Sequence, residues 1–479
     1  MRSTVLCLAC SLPLVGCSPS PPAEPFEWAD LRIDHGPGSD SSGSNARRPR
    51  VCTSHRYVYV VWQDDRDGDP RIYANRSLDS GAHFEPTDLL VSEALNARKS
   101  ARNPALGCDG GTVAIAWEDD RDSDFKNPTI RVRVSDDGLT TFTTPSKRVT
   151  SDLFGDWRAI EPAIAVAGRS VFVAWADGRS GAFDIFLSTS PDAGRSFQTP
   201  ELRLDTDAAG AAHSASPQLA LNRRGGVFVV WSDRRARRNA IRGNVSRESG
   251  RPGSWLTSDL SVDGDQTKNA YSPSIAALAD LVAIAWHARA SDLDPADIYS
   301  ATMTSSIADG FSRPVRVDTD VGGVGNSSFV RLVVDDSKRL QAVWRDDRSG
   351  YFDIFASRSL DAGATWSELE TRLDRGGSGT HSDSPELSVA GSRVAVVWPD
   401  LRGSTPETPA EDVYVAFSDD GGASFSEERR VDDEASQGAR SVFPVVALDA
   451  AKQAHVFWED WRAGNSDIYE RTLSLGGDS

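Results

Sequence analysis

The chain has 479 residues, which is enough for several ordinary domains or for one large repeat domain. Its formal net charge is −18, and 25% of its residues are charged. An acidic surface argues against binding to nucleic acid and against adsorption to anionic lipid, because both carry negative charge.

A basic residue and a short apolar run open the chain, as in a secretory signal. The run ends in Leu14-Val15-Gly16-Cys17, which resembles the lipobox of bacterial lipoproteins. This resemblance implies a signal peptide over residues 1–16, and a lipidated Cys17 with a Pro-rich tether over residues 17–25. Ser18 resembles the pattern of lipoproteins sent to the outer membrane. We expect an exported protein that meets the membrane only through its lipid; an ordinary signal peptide with a chance cysteine is the alternative.

Eight apolar runs end in tryptophan at intervals of 54 to 60 residues. These tryptophans are Trp62, Trp117, Trp175, Trp231, Trp286, Trp344, Trp398 and Trp458. Such a period predicts a solenoid or a propeller. Each unit has three clear strand patterns and a weaker fourth that ends in Arg, an aliphatic residue and Asp. Since no segment shows sustained helical periodicity, the units predict four-stranded antiparallel blades.

The two ends of the chain predict that these blades close into a ring. The last unit has patterns for only its first three strands, and residues 27–34 carry the missing fourth pattern. An N-terminal strand that completes the last blade removes two exposed sheet edges. We therefore predict an all-β fold, a single eight-bladed β-propeller over residues 26–479. A linear array would explain the period but not the split unit.

Two cysteines remain after the signal peptide and the lipidated cysteine are set aside. Counting from the proline that opens each first strand, Cys52 is the third following residue and Cys108 the fourth. Side chains alternate faces along a strand, so this parity turns the two cysteines toward each other across the interface of blades 1 and 2. In an oxidising compartment they are predicted to form a disulfide; two small buried thiols are the alternative.

Four repeated segments resemble the Asp-box, or BNR repeat, of sialidase-like propellers. They read SLDSGAHF (77–84), SPDAGRSF (190–197), SLDAGATW (359–366) and SDDGGASF (418–425), with degraded versions in the other blades. The resemblance implies a tight turn between the third and fourth strands, on the face opposite the active site. The motif is specific for a propeller and poorly specific for any activity.

Seven units also carry Trp-x-Asp-x-Arg, which begins the loop between the second and third strands. By analogy with the family, this loop lies on the ligand face. The seven copies are either a ring of acid/base or anion-binding groups, or an Asp–Arg pair that ties each loop in place. We favour the second interpretation, because one active site does not need seven arginines.

Departures from the repeat supply the ligand-binding candidates. A cluster of arginines could bind a carboxylate, sulfate or phosphate, and exposed aromatic rings suit sugar stacking. The alternatives are a basic patch locked against acidic loops and a buried tryptophan. The candidates are Arg234, Arg235, Arg237, Arg238 and Arg242 in blade 4, Asn269, Tyr271, His287 and Arg289 in or before blade 5, Trp157 before blade 3 and Tyr351 in blade 6.

The resemblance to sialidases does not extend to their catalytic signature. Arg-Ile-Pro does not occur, the units outnumber the blades that sialidases usually have, and only Tyr271 and Tyr351 fall in ligand-face loops. We expect a non-catalytic, monomeric propeller that binds a glycan or protein ligand through its loop face. The alternative is a carbohydrate-active enzyme, either a sialidase-like glycoside hydrolase or a polysaccharide lyase, that uses the same face.

Two Asp-rich loops have a spacing that suits the oxygen ligands of Ca²⁺. The carboxylates are Asp65, Asp67 and Asp69 in the first loop and Asp120, Asp122 and Asp124 in the second. Neither loop continues into an EF-hand, and solvated acidic loops are the alternative. We expect no other cofactor, since the sequence has no phosphate-binding Gly loop and no nucleophile elbow.

Overall fold

The computed structural model describes residues 30–35, 43–93, 99–122, 127–151, 157–264, 267–304, 310–322, 324–376, 380–404, 410–433 and 439–474. The signal peptide, Cys17, the whole tether and Asp124 lie outside these ranges. The described residues form 32 strands in eight four-stranded antiparallel sheets, so the predicted all-β, eight-bladed propeller is confirmed. Within the same ranges, no helix has the length and hydropathy of a membrane span.

Each blade uses four strands. The first strands are β2 (Ala46–Ser54), β6 (Ala101–Asp109), β10 (Ala159–Ala167), β14 (Ser214–Leu221), β18 (Asn269–Leu278), β22 (Ser328–Val334), β26 (Glu386–Ala390) and β30 (Ser441–Leu448). The second strands are β3 (Tyr57–Asp64), β7 (Thr112–Asp119), β11 (Ser170–Asp177), β15 (Val227–Asp233), β19 (Leu281–Arg289), β23 (Leu340–Asp346), β27 (Arg393–Asp400) and β31 (Ala454–Asp460). The third strands are β4 (Arg71–Ser77), β8 (Thr129–Ser135), β12 (Asp184–Ser190), β16 (Ala240–Ser246), β20 (Asp297–Met303), β24 (Asp353–Ser359), β28 (Asp412–Ser418) and β32 (Asp467–Leu473). The short fourth strands are β5 (Leu89–Leu90), β9 (Lys147–Arg148), β13 (Leu202–Arg203), β17 (Leu260–Ser261), β21 (Val315–Arg316), β25 (Thr371–Arg372), β29 (Arg429–Arg430) and, for blade 8, β1 (Leu31–Arg32).

The first strands lie innermost, around a central channel. Each of them contacts the first strand of the next blade, and β30 contacts β2, which closes the circle. The hydrophobic core lies between blades, as where Val132 of blade 2 packs with Val173 and Trp175 of blade 3. Because both faces of every blade are covered by neighbours, the second strands are buried on both sides and read as continuous apolar runs.

The Trp-x-Asp-x-Arg signature forms part of the interior of the seven blades that carry it. In blade 3, the indole of Trp175 and the guanidinium of Arg179 donate to the Asp177 carboxylate at 3.0 and 2.9 Å. The other end of Arg179 pairs with Glu201, which directly precedes the fourth strand. The same Asp–Arg pair recurs in the six other blades that carry the signature. These residues are engaged inside the blades, which supports the structural interpretation of the signature.

Ring closure uses this network across the two ends of the chain. Leu31 and Arg32 pair with Glu470 and Tyr469, as predicted for the N-terminal strand. In blade 8, the signature arginine Arg462 finds its second carboxylate on Asp30, at 2.7 Å. Asp30 precedes β1 as Glu201 precedes β13, so the N-terminal segment supplies both the strand and the carboxylate that the last blade lacks.

Cys52 and Cys108 form a disulfide that joins β2 to β6, with their Cα atoms 6.1 Å apart. Their two strands are the innermost strands of blades 1 and 2 and lie side by side. The bridge therefore links two blades beside the channel, as the parity of the two positions predicts.

Within the described residues, Asp-box-like turns contact the preceding blade. In blade 3, the Ser190 hydroxyl accepts a bond from the Gly194 amide at 2.8 Å, and Asp192 accepts one from Ser196. Gly194 has φ +77°, and a Cβ there would lie 2.5 Å from Val134 Cγ2 of blade 2. A glycine is required because the turn is left-handed and presses against the neighbouring blade. These turns lie on the face opposite the loops between second and third strands, which we call the loop face.

Candidate functional site

The predicted basic cluster of blade 4 is largely neutralised by carboxylates. Arg235 binds Asp233 and Asp259 at 2.6 and 2.5 Å, and Arg238 binds Asp263 at 2.6 Å. Sequence reasoning placed these arginines together but did not identify their partners. The arrangement is the lock against acidic neighbours that was the alternative interpretation.

The other arginines of this cluster have separate environments. Arg234 is exposed and donates to Asn239 Oδ1 at 2.9 Å. Arg237 is exposed at the loop tip with φ +59°, and Arg242 is a half-buried residue of β16. Blade 4 therefore offers exposed positive charge at Arg234 and Arg237 rather than a five-arginine pocket.

The candidates of blade 5 do come together. Tyr271 of β18 and His287 of β19 are paired in register, and their rings stack with centroids 5.5 Å apart. The Arg289 guanidinium lies 5.0 Å from the Tyr271 ring centroid, and the Tyr271 hydroxyl donates to Asp292 at 2.6 Å. We call Tyr271, His287, Arg289 and Asp292 the blade 5 cluster.

The blade 5 cluster has a defined protonation state. Burial, together with the charges of Arg289 and Arg345, lowers the pKa of His287 to about 4, so its imidazole is neutral at neutral pH. Its Nδ1 is buried and has no hydrogen-bond partner among the described residues. Burial and the bond to Asp292 raise the pKa of Tyr271, which keeps its phenol protonated. The cluster thus presents a neutral base, a phenol and a guanidinium at one point.

The remaining candidates lie apart from this cluster or at its edge. Asn269 accepts a bond from the Asn239 amide at 3.0 Å and so connects the blade 4 loop to blade 5. Tyr351 is 41% exposed and contacts His381 edge-on, at 5.2 Å between centroids. Trp157 is half-buried just before β10. Tyr351 is the more accessible aromatic of the two.

Sequence reasoning missed a ring of strained residues where the channel opens on the loop face. Each blade has a non-glycine residue with φ between 38 and 58° near the start of its first strand, and in seven blades the strand register shifts there. This mouth ring consists of Arg48, Asn103, Glu161, Ser216, Ser272, Phe329, Ser384 and Phe443. Left-handed backbone is uncommon outside glycine and is often retained at functional sites.

Two members of the mouth ring are exposed aromatic residues. Phe329 and Phe443 are 41% and 58% exposed, although both are bulky residues in a left-handed conformation. The Arg345 guanidinium lies 4.3 Å from the Phe329 ring centroid and is held by Asp383 at 2.5 Å. Fixed aromatic faces that remain accessible are suited to stacking against a ligand.

One variable position in the signature supports this ring from behind. In blades 2 and 8 the residue that follows the tryptophan contacts the mouth ring of the next blade: Glu118 accepts a bond from the Glu161 amide at 3.0 Å, and Glu459 from the Arg48 amide at 2.6 Å. Around the ring this position reads Gln63, Glu118, Ala176, Ser232, His287, Arg345, Pro399 and Glu459. Its variability inside a constant signature is the sequence signal that could have located the mouth.

The mouth is positively charged beside blade 1. Arg47, Arg48 and Arg50 are exposed on β2, and none forms an ion pair with a carboxylate of the described residues. Arg50 has an exposed surface, but protein surrounds it on most sides. The resulting desolvation lowers the pKa of Arg50, although the negative charge of Glu386 acts to raise it. Burial raises the pKa of Glu459, below Arg48, to about 7. The Arg48 guanidinium donates to Asn103 Oδ1 and that of Arg50 to the Pro49 carbonyl, so no described carboxylate neutralises the charge of the three arginines.

The opposite face of the channel is bridged by ion pairs. Arg223 and Asp336, on the turns between first and second strands of blades 4 and 6, are 2.8 Å apart. Lys338 and Asp280 pair at 2.8 Å between blades 6 and 5.

The predicted calcium loops direct their carboxylates to different protein groups. Asp65 accepts a bond from the Asn45 amide and Asp67 one from the Tyr73 hydroxyl. Asp120 accepts one from the Ser100 amide, and Asp122 pairs with Arg131 at 2.6 Å. Asp69 belongs to the first loop. Asp124, of the second loop, lies outside the described residues. These loops do not present a shared cation site among the described carboxylates.

Two other acidic clusters in the described residues could hold a cation. They are Asp184, Asp205 and Asp207 in blade 3, and Asp297, Asp318 and Asp320 in blade 5. In each, an arginine of the fourth strand already bridges all three carboxylates: Arg203 in the first and Arg316 in the second. The guanidinium supplies the positive charge that Ca²⁺ would bring, so the donor sets fit an internal ion-pair network better than a metal.

No protein-family model and no curated protein matches the chain. Several solved structures are similar. A PL25 ulvan lyase bound to -[GlcA(1-4)Rha3S]- is 12% identical, with 78% of this chain and 96% of that chain covered and a TM-score of 0.46. The polysaccharide lyase Uly1 is 10% identical, with 83% and 94% covered and a TM-score of 0.49. The intramolecular trans-sialidase from Ruminococcus gnavus is 12% identical, with 78% and 94% covered and a TM-score of 0.38. Identity this low transfers no activity, so function rests on the site's own residues.

Proposed function

We propose that the protein is a non-catalytic, monomeric propeller that binds a glycan through the mouth of its channel, and that it is exported and anchored to the cell envelope by lipid on Cys17. The observation that carries the proposal is the pair of exposed aromatics, Phe329 and Phe443, held in strained backbone at the mouth. Strained backbone clusters at ligand-binding sites, which favours a binding role for these two side chains. Flat aromatic faces at an open mouth match the apolar faces of sugar rings.

The charge around the mouth favours an acidic glycan. Arg47, Arg48 and Arg50 have no described carboxylate partner, whereas Arg345 and Arg331 are paired. Guanidinium groups bind carboxylate and sulfate through charge-assisted hydrogen bonds. A local positive patch on a chain of net charge −18 also directs an anionic ligand to this point rather than elsewhere on the surface.

A glycan array, probed with the protein lacking its first 17 residues, tests the proposal. The double variant Phe329→Ala, Phe443→Ala is expected to weaken every hit by about tenfold or more, because both stacking faces are lost. Arg47→Ser with Arg50→Ser should weaken acidic hits selectively.

Matched controls distinguish the mouth from the general surface. Leu293→Ala removes a side chain that is 97% exposed, and Arg237→Ser removes an exposed charge from the blade 4 loop. Both controls should bind as the unmodified protein does. Retention of all hits by the double phenylalanine variant would refute the assignment to the mouth.

The blade 5 cluster favours a second candidate, a polysaccharide lyase. In β-elimination, a base takes the proton on the carbon next to a sugar carboxylate, a carbon–carbon double bond forms, and the glycosidic carbon–oxygen bond breaks as an acid protonates the leaving oxygen. Neutral His287 suits the base, the Tyr271 phenol suits the acid, and Arg289 suits the sugar carboxylate. The three groups lie together, with the His287 ring and the Arg289 guanidinium both close to the Tyr271 ring.

Incubation with uronate-containing polysaccharides tests this candidate by the ultraviolet absorbance of the unsaturated product. If the chain is a lyase, Tyr271→Phe and His287→Gln should each slow the reaction by about 100-fold or more, whereas Tyr351→Phe should not. Binding of acidic glycans without any rise in absorbance would support the non-catalytic proposal and eliminate the lyase.

A further inference from the structure

The seam between β1 and β32 is the one place in the described ring where a fourth strand is held without a short chain connection to its third strand. Its backbone contacts are few: two register pairs, and the Ile33 amide donating to the Ile468 carbonyl at 2.8 Å. Side chains therefore carry much of the attachment. Ile33 is fully buried, and Asp30 binds Arg462 and Arg471.

Two buried carboxyl groups meet at this seam. Asp34, from the N-terminal segment, and Asp467, from β32, are 2% and 1% exposed, and the Arg32 guanidinium donates to both. Two buried carboxylates that share one guanidinium leave one negative charge in excess, which favours protonation of one of them. Asp34 also accepts a bond from the Ile468 amide at 3.0 Å, so the pair belongs to the attachment itself.

The charged groups that face this pair leave the second negative charge uncompensated. Arg32 is 3.2 Å from Asp34 and 2.9 Å from Asp467, and it is the arginine that both carboxyls share. Asp64 of blade 1 and Asp460 of β31 also face the pair and raise its affinity for protons. Burial is the largest cause that raises both pKa values, with that of Asp467 at about 7.

We propose that the β1–β32 seam is a pH-sensitive latch, tightest in acid and looser as the pH rises to neutrality. When β1 is detached, water solvates both carboxyls and they ionise as ordinary aspartates, near pH 4. The attached state retains its proton until about pH 7. Attachment therefore weakens between these two values, because the detached state has released a proton that the attached state still holds. Above about pH 7 both states are ionised and the weakening stops.

Hydrogen exchange of the full-length protein at the Ile33 and Ile468 amides tests the latch. After correction for intrinsic exchange, the opening constant should rise by up to about tenfold per pH unit between pH 5 and 7 and then level off. Asp467→Asn should flatten this dependence, and Asp34→Asn should do the same if the first variant does not fold. Equal corrected protection at all pH values in the unmodified protein would overturn the proposal.

Blade 6 contains the matched control. There the Leu373 amide donates to Ile354 at 2.8 Å, and Arg372 pairs with Asp353 and Asp374, but the strands are joined by continuous chain. Asp374→Asn should leave exchange at the seam unchanged. If it altered exchange at Ile33 as Asp467→Asn does, the effect would be a general one of acidic pairs and the latch would be refuted.

Discussion

Asp177→Ala is expected to lower the free energy of unfolding by about 3–5 kcal/mol, as removal of one partner from a buried ion pair does. Asp177 is 1% exposed and receives bonds from the Trp175 indole and from Arg179. The alanine variant leaves a buried indole donor unpaired and Arg179 with Glu201 as its remaining carboxylate. Denaturant unfolding measures the change.

The same variant separates a structural role of the signature from a functional one. Asp177→Ala should retain glycan binding at temperatures where it is folded, because Asp177 lies inside the blade. The exposed pair of Asp336 with Arg223, 2.8 Å apart, provides the control: Asp336→Ala should cost less than about 1 kcal/mol. If the folded Asp177→Ala variant lost glycan binding, the signature residues would have a role in binding and not only in stability.

Removal of residues 1–35 is expected to destabilise the propeller by at least about 5 kcal/mol and to make it aggregate. The deletion loses the buried Ile33, a contribution of about 2–5 kcal/mol, and breaks the ion pairs of Asp30 with Arg462 and Arg471. It also exposes β32 as an unpaired strand edge, which promotes association.

A shorter deletion provides the comparison for this prediction. Removal of residues 1–25 retains β1 and Asp30 and should leave the melting temperature unchanged. Size-exclusion chromatography and thermal unfolding distinguish the two truncations. A stable monomer without residues 1–35 would show that ring closure does not depend on the N-terminal strand.

The fold could be predicted because its information is repeated. The tryptophan period set the blade count, the split unit placed residues 27–34 beside β32, and strand parity paired Cys52 with Cys108. Each of these inferences needs only the spacing of the repeats and the alternation of side chains along a strand, and both can be read from the sequence without knowing which residues are in contact. Repetition also explained why the signature is structural.

The site was predicted only in part, because its geometry depends on contacts between distant residues. Tyr271 and His287 were found since they depart from the repeat within one blade and lie on adjacent strands. The acidic partners of the blade 4 arginines were not predicted, because Asp259 and Asp263 lie a strand away in sequence. Phe329 was missed because a left-handed backbone leaves no mark in the residue type itself.

The residues that stabilise the blades are different from the residues that line or support the mouth ring. Seven copies of Asp and Arg secure the blades, while the residue between Trp and Asp changes from blade to blade without disturbing them. The position after each tryptophan is therefore where the proposed ligand preference of the mouth can differ between blades while the Asp–Arg pairs stay constant. On such a scaffold, the proposed ligand site can change in one blade while the other blades keep their sequence.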